Sequence, residues 1–339
     1  MKFKRQLTAL ALAMAAGSSF AQLVVGVSYD TFQEPRWVID EAAIKTELAK
    51  SGAKYIMSDA AASAEKQLAD IDGLIAKGAK VLIILAKDKD AIMPAINKAR
   101  QLKIPVISYD RLIFDKDATY ITFDNKEVGR ITAREVLKVK PKGNYAIIKG
   151  DPGDANAGFL REGQGEVLAD AIKSGDVKIV GEEFTANWDP SNAQKNMEQI
   201  LTKNGNKVDA VIAQNDNMAG GAIAALTAKG LKGVPVSGQD GDGAALNRVA
   251  LGTQIVSVWK NSNDIGTAAA KIAVELGAGK PVSGTVDYLA GDKKIPMKAI
   301  FLKPTPITRA NLDVVLKAGH ITKAALCKGV TDPSVTVCK

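Results

Sequence analysis

The sequence predicts an α/β protein with two lobes, each built on a mainly parallel sheet. Three observations lead there. Strand-like and helix-like stretches alternate along most of the chain, the order of repeated βαβ units. The strand-like stretches, such as 81–86, are continuous Val/Ile/Leu runs, as expected where helices cover both faces of a sheet. The chain has 339 residues, enough for two ordinary domains, and the pattern restarts after Tyr109.

The first strand is expected at 23–28 and the first helix at 35–50. Pro35 suits a first helical turn, and Ser51-Gly52 suits the helix end. A strand at 54–57, a helix at 62–77, a strand at 81–86, a helix at 91–102 and a strand at 105–109 follow. Leu68, Ile71, Leu74 and Ile75 carry the 3.6-residue spacing of one buried helix face. The second round begins with strands at 120–123 and 144–148 around a helix at 126–138. Strands at 177–184, 210–213, 234–237 and 254–259 come next. Helices at 158–172, 193–202, 219–228, 244–250 and 265–276 lie between or after them. No Pro/Gly/Ser linker parts the two halves, so the chain should cross directly from one sheet to the other.

Residues 1–21 read as a secretory leader. Lys2, Lys4 and Arg5 form its basic start, 7–16 its apolar middle, and Ser19-Phe20-Ala21 a small-residue cleavage site before Gln22. The apolar run is too short to span a bilayer as a helix, and no stop signal follows, which disfavours a membrane anchor. The mature protein is therefore expected to be exported and soluble. Of the net charge of +8, the leader holds three positive charges, leaving +5. Lysines stand mostly beside Asp or Glu, which reads as a solvated surface and argues against nucleic acid. Cys327 and Cys338 both lie near the end of the exported chain. A bridge between them is expected to restrain that tail, with two unpaired thiols in a frayed end as the alternative. The single histidine, His320, is expected at the surface. It leaves no means of building a His-based catalytic triad or a poly-His metal site.

In open parallel sheets, ligands bind beyond the carboxyl ends of the strands. Here those ends carry polar groups: Asp110 and Arg111; Asp124 and Asn125; Asp154 and Asn156; Asn215 and Asp216; Gln239 and Asp240; and Lys260. Carboxylates, amides and a guanidinium each offer paired donors or acceptors, which suits vicinal hydroxyls. A nucleotide would favour glycine-rich loops over so many acids. Trp37 and Trp188 are placed to lie against the apolar face of a sugar ring, with core packing as the alternative, which is the stronger reading for Trp259. Helix capping competes for the strand-end acids and is the main reading of Asp124 and Asp242.

Other motifs fail. The segments 163–168 and 241–246 lack the full G-x-G-x-x-G on a strand–helix turn. Asp240 and Asp242 lack the rest of a calcium loop. There is no G-x-S-x-G and no Walker sequence. A glycosidase using Asp110 and Asp240 is the enzymatic alternative, but Arg111 and Lys260 nearby would depress an acid's pKa. A regulator on the same lobes would need an N-terminal helix-turn-helix instead of a leader.

Several stretches together carry a resemblance: E-P-R-W at 34–37, Y-D-R at 109–111, F-D-N at 123–125, D-A-N-A at 154–157, N-D-N-M-A-G-G-A-I at 215–223, S-G-Q-D at 237–240, G-T-Q at 252–254 and V-W-K at 258–260. With these, the chain resembles the periplasmic sugar-binding proteins of the ribose/galactose/xylose branch of ABC importers, to about Leu316. The resemblance implies two Rossmann-like lobes in the hinged type I architecture, joined by three crossovers near Asp124, Lys260 and Gly291. It implies an N-terminal lobe of 22–124 and 261–290, a C-terminal lobe of 125–260 and 291–316, and a tail of 317–339. The implied sugar contacts are Arg36, Trp37, Asp110, Arg111, Asp154, Asn156, Trp188, Asn215, Asp240 and Lys260. The implied function is capture of a monosaccharide, D-xylose first, by a monomer that delivers it to a permease with its ATPase. It requires no cofactor and no metal. Glucose, arabinose, ribose or galactose, and service to a chemoreceptor or sensor kinase, are the alternatives. Two places depart from the family: the loop 30–35, and Ala86-Lys87-Asp88, which replaces a bulkier and less charged turn.

Overall fold

A computed structural model describes residues 22–339. The expected leader lies outside the described residues. None of the described helices is long and apolar enough to cross a membrane.

The first lobe holds a seven-stranded sheet in the order β11-β12-β5-β4-β3-β1-β2. Its strands are β1 (Val24–Tyr29), β2 (Lys54–Asp59), β3 (Val81–Ile84), β4 (Val106–Tyr109), β5 (Thr119–Phe123), β11 (Val286–Ala290) and β12 (Ile295–Leu302). The second lobe holds a six-stranded sheet in the order β13-β10-β9-β8-β6-β7. It comprises β6 (Gly143–Lys149), β7 (Val177–Phe184), β8 (Ala210–Ala213), β9 (Val236–Asp240), β10 (Val256–Trp259) and β13 (Thr305–Ile307). All pairs are parallel except β11 with β12 and β10 with β13. The central strands β3, β4, β5 and β8 are buried along their whole length, which is why their sequences do not alternate.

The flanking helices start with polar caps just beyond the strand ends. Asp124 accepts a hydrogen bond from the N–H of Glu127 at the start of α4 (Asn125–Val139). Asp154 does the same for Asn156 at the start of α5 (Ala155–Lys173), and Asn215 for Met218 at the start of α7 (Asp216–Ala228). Asp242 stands at the cap position of α8 (Gly243–Leu251) but makes no such bond, contrary to expectation. Helix N-termini therefore gather around the strand ends, where they favour negative or polar groups.

The chain passes between the lobes three times. After β5 it enters α4, which packs in the second lobe, and after β10 it enters α9 (Ser262–Gly277), which packs against the first. These passages lie near Asp124 and Lys260. The third lies between Leu302 and Thr305, where β12 of the first sheet leads to β13 of the second. The expected division at Gly291 is thus displaced. Gly291 begins a hairpin turn, with φ of 60° there and 50° at Lys294, and that turn returns the chain to the same sheet.

The tail is packed, not frayed. Cys327 and Cys338 are bridged, with Cα atoms 5.4 Å apart. Leu312, Val315, Leu326 and Val335 form a small core with Leu246, Val249 and Trp259 of the second lobe. His320, expected at the surface, is partly buried and donates from Nε2 to the carbonyl of Gly241 at 2.7 Å, which makes the Nε2–H form the one that fits.

Candidate sugar-binding cleft

Strand β4 ends in Tyr109, and the next residue turns sharply. Asp110 has φ of 58°, a left-handed conformation that a non-glycine residue keeps only when its surroundings impose it. Its N–H donates to the carbonyl of Ile121 at 2.8 Å. Its carbonyl accepts from Thr122 Oγ1 at 2.8 Å and from Asn156 Nδ2 at 3.2 Å. These bonds leave the Asp110 carboxylate facing the cleft. Asp240, at the end of β9, is the counterpart on the other lobe, with φ of 101°.

Arg36, in the first turn of α1 (Arg36–Lys50), joins the two. Its Nη2 donates to Asp110 Oδ2 at 3.1 Å, and its Nη1 donates to Asp240 Oδ1 across the lobes at 3.2 Å. Asp40, one helical turn later, lies 3.5 Å from Nη2 and also accepts from the Tyr109 hydroxyl. Burial would lower the Arg36 pKa, but Asp110, Asp40 and Asp240 more than offset it and hold the pKa well above the usual value. Burial likewise pushes Asp110 up, yet Arg36, Lys260 and Arg111 prevail and keep it below the ordinary carboxylate range.

Arg111 makes the second cross-lobe pair. Its Nε lies 3.1 Å from Asp154 Oδ2, while Nη1 donates to Asp30 in its own lobe. Asp154 thus serves twice, capping α5 with one oxygen and facing Arg111 with the other. Burial outweighs the pull of Arg111 and raises Asp154 to about 6.

Two indole rings complete the enclosure. Trp37 lies against the Arg36 guanidinium, 4.2 Å from its carbon, and donates from Nε1 to Glu34 Oε2 at 2.9 Å. Trp188 packs over Gly150, where any Cβ would run into its ring. Trp188 Nε1 and Gln239 Oε1 are buried without a protein partner among the described residues. Such groups call for a polar partner.

All ten expected site residues line this one space, together with Glu34 and Gln239. The space is narrow and shut in by buried side chains of both lobes. A larger groove runs beside Phe159 and Tyr288 past the end of β5, where Asp124 and Asn125 line it, but it holds none of the ten expected residues, and its Lys126 and Glu162 pair with each other. Trp259 is core, packed with the tail and the His320 ring.

Glu34 and the supporting groups Asp30 and Asp40 are not among the site residues expected from the sequence, while Gln239 and Asn125 stand among the strand-end polar groups but not among the expected contacts. Asp30 and Gln239 stand at strand ends, and Asp40 stands four residues after Arg36 on one helix face, so those signals were available. Asn125 stands just past β5 at the start of α4, and its Nδ2 donates to Asn156 Oδ1 at 2.9 Å.

Glu34 gives a pH-dependent expectation. Burial, opposed by Arg111 and the Trp37 indole, raises it from 4.5 to about 7. A carboxyl raised in the folded state stabilises fully below its unfolded pKa, and that stability is lost as pH rises through the folded value. For Glu34 the window runs from about 4.5 to about 7, with a loss of up to about 3 kcal/mol. Urea midpoints at about pH 5 and about pH 8 should therefore differ less in Glu34→Gln than in the parent protein. Equal pH dependence in the two proteins would rule the assignment out.

The periplasmic binding protein domain family matches residues 25–281. The D-xylose-binding periplasmic protein of Escherichia coli (strain K12) is 38% identical over 308 residues, covering 90% of this chain and 93% of its own. The protein of the same description from Haemophilus influenzae is 38% identical over 332 residues, covering 96% and 99%. Among solved structures, an ABC transporter solute-binding protein from Clostridium phytofermentans with bound β-D-glucose superposes with a TM-score of 0.82. It is 28% identical, with 89% of this chain and 99% of that one covered.

Proposed function

The chain belongs to the periplasmic binding protein domain family, and from that membership and the cleft we propose that it captures a monosaccharide, D-xylose, in the periplasm and delivers it to an ABC importer. The observation that carries this reading is the set of opposed groups across the lobes: Arg36 and Asp110 facing Asp240, and Arg111 facing Asp154, between Trp37 and Trp188.

The mechanism follows from differential affinity. With the lobes apart, each set of charged groups faces water. A sugar whose hydroxyls bond groups of both lobes favours the closed form by as much as it binds that form better. Closure removes water and leaves every hydroxyl dependent on a fixed partner. A wrong epimer then leaves a buried polar group unpaired, at about 1–3 kcal/mol for each. The closed shape is what a permease distinguishes from the open one. Asp110 and Asp240 are both paired with Arg36, and Asp110, held below the ordinary carboxylate range, is poorly suited to serve as a glycosidase acid. A receptor for another aldose is the second reading, favoured by the bound glucose in the similar Clostridium structure.

The test is titration of the purified protein with D-xylose, D-glucose, L-arabinose, D-ribose and D-galactose, read in tryptophan fluorescence. A saturable response, tightest for D-xylose and lost in Asp240→Ala, is expected. A tighter response to another aldose replaces xylose with that sugar. Silence toward all five removes the sugar reading.

A further inference from the structure

The turn Ala86-Lys87-Asp88 faces the loop 150–154 of the other lobe beside the pocket. Lys87 Nζ donates to Asp151 Oδ2 at 3.0 Å, and the two side chains are only 12% and 10% exposed. The N–H of Lys89 donates to the carbonyl of Gly153 at 3.0 Å, a second bond between the lobes. Asp88 is fixed in place, since its Oδ1 accepts from the N–H groups of Asp90 and Ala91 at 2.8 Å each. A Cβ at Gly153 would lie 2.6 Å from Asp88 Oδ2, so the loops meet this closely only with glycine there.

Asp151 also faces the other way. The oxygen that accepts from Lys87 accepts from the N–H of Asn187 at 2.6 Å. Asn187 and the adjoining Trp188 both have left-handed backbones, with φ of 59° and 55°. Two such residues in succession, neither of them glycine, are a strained turn that needs outside support. One carboxylate oxygen is therefore shared between a cation of the first lobe and the turn that carries a ring of the pocket.

We propose that Asp151 makes the seating of Trp188 depend on lobe closure, with Lys87 as the closing counter-charge. Both are positioning residues, since neither lines the pocket. When the lobes part, Lys87 is withdrawn and water competes for the Asp151 carboxylate. Its hold on Asn187 weakens, and the strained turn can relax. When the lobes meet, water is excluded, Lys87 offsets the desolvated charge, and the bond to Asn187 strengthens in the drier surroundings. Release of the ligand then requires the Lys87–Asp151 and Lys89–Gly153 contacts to break first. The inference rests on the sugar-receptor reading of the cleft.

The experiment is a double-mutant cycle with Lys87→Met and Asp151→Ala, plus Lys87→Arg. D-xylose association and release are followed by stopped-flow tryptophan fluorescence at low and high salt. Lys87→Met should speed release by roughly three- to thirtyfold and change association little, because interface changes act mainly on the off-rate. It should also lose part of the parent's salt dependence. Asp151→Ala should cost more than Lys87→Met, and the double variant no more than Asp151→Ala alone. Lys87→Arg should restore slow release. Unchanged release in Lys87→Met, or additive costs in the cycle, overturns the coupling while leaving the receptor intact. A parent protein silent toward every aldose overturns the receptor reading itself. Should Asp151→Ala fail to fold, Lys87→Met and Lys87→Arg still decide the matter.

Discussion

Arg36→Met is expected to weaken D-xylose binding by roughly 10²- to 10⁴-fold. Arg36 is buried and is the group that holds Asp110, Asp40 and Asp240 together. Removing it leaves three carboxylates converging on an apolar side chain. Breaking a buried ion pair by deleting one partner costs about 3–5 kcal/mol, and here only Lys260, 4.0 Å from Asp240, and Arg111 are left to offset the carboxylates. In this cleft the penalty falls mainly on the closed form, where Asp240 approaches Asp110, so it enters the binding constant directly. Arg36→Lys should recover only part of the loss, since one ammonium cannot replace a planar fork that reaches two carboxylates at once. Titration calorimetry of the two variants with D-xylose reads the effect. Binding within tenfold of the parent in Arg36→Met would show that the charges are solvated when the lobes close.

Asp216→Ala is expected to destabilise the second lobe by about 3–5 kcal/mol, although Asp216 does not line the pocket. The residue is fully buried behind Asp240. Its Oδ2 accepts from the N–H groups of Gly241 and Asp242 at 3.0 Å each and from Ser257 Oγ at 2.5 Å, and its Oδ1 accepts from Gln254 Nε2 at 2.7 Å. Alanine would leave these buried donors short of an acceptor, each at about 1–3 kcal/mol before relaxation. The loss should also free the turn after Asp240, so xylose affinity should fall with stability. Asp216→Asn keeps one acceptor oxygen and should sit between the parent and the alanine variant. Guanidinium unfolding followed by tryptophan fluorescence tests this. A loss below about 1 kcal/mol would mean that the turn finds other partners.

Much of this was legible before any coordinates. The uninterrupted apolar runs of β3 and β8 mark strands covered on both faces, and they are buried throughout. The polar residues just past those runs mark the ligand side of the sheets, and the ten residues drawn from that pattern and from the resemblance surround one space. The third passage between lobes was misplaced for an equally physical reason. A glycine-containing turn at 291–294 looks alike in sequence whether it closes a hairpin or leads across to another sheet. Only the pairing of β12 with β5 distinguishes the two.

What the sequence by itself determined is what short-range physics controls: strand and helix periods, caps, the restart of the pattern, and which chemical groups stand at each strand end. What the tertiary structure alone decided is which of those groups meet. Arg36 and Asp240 are 204 residues apart, and Lys87 and Asp151 are 64 apart, each pair on opposite lobes. Their contact depends on how two separately folded sheets are set against each other. No local periodicity encodes that arrangement, because a side chain's direction follows from its own backbone, while its partner across a cleft follows from the packing of everything between them.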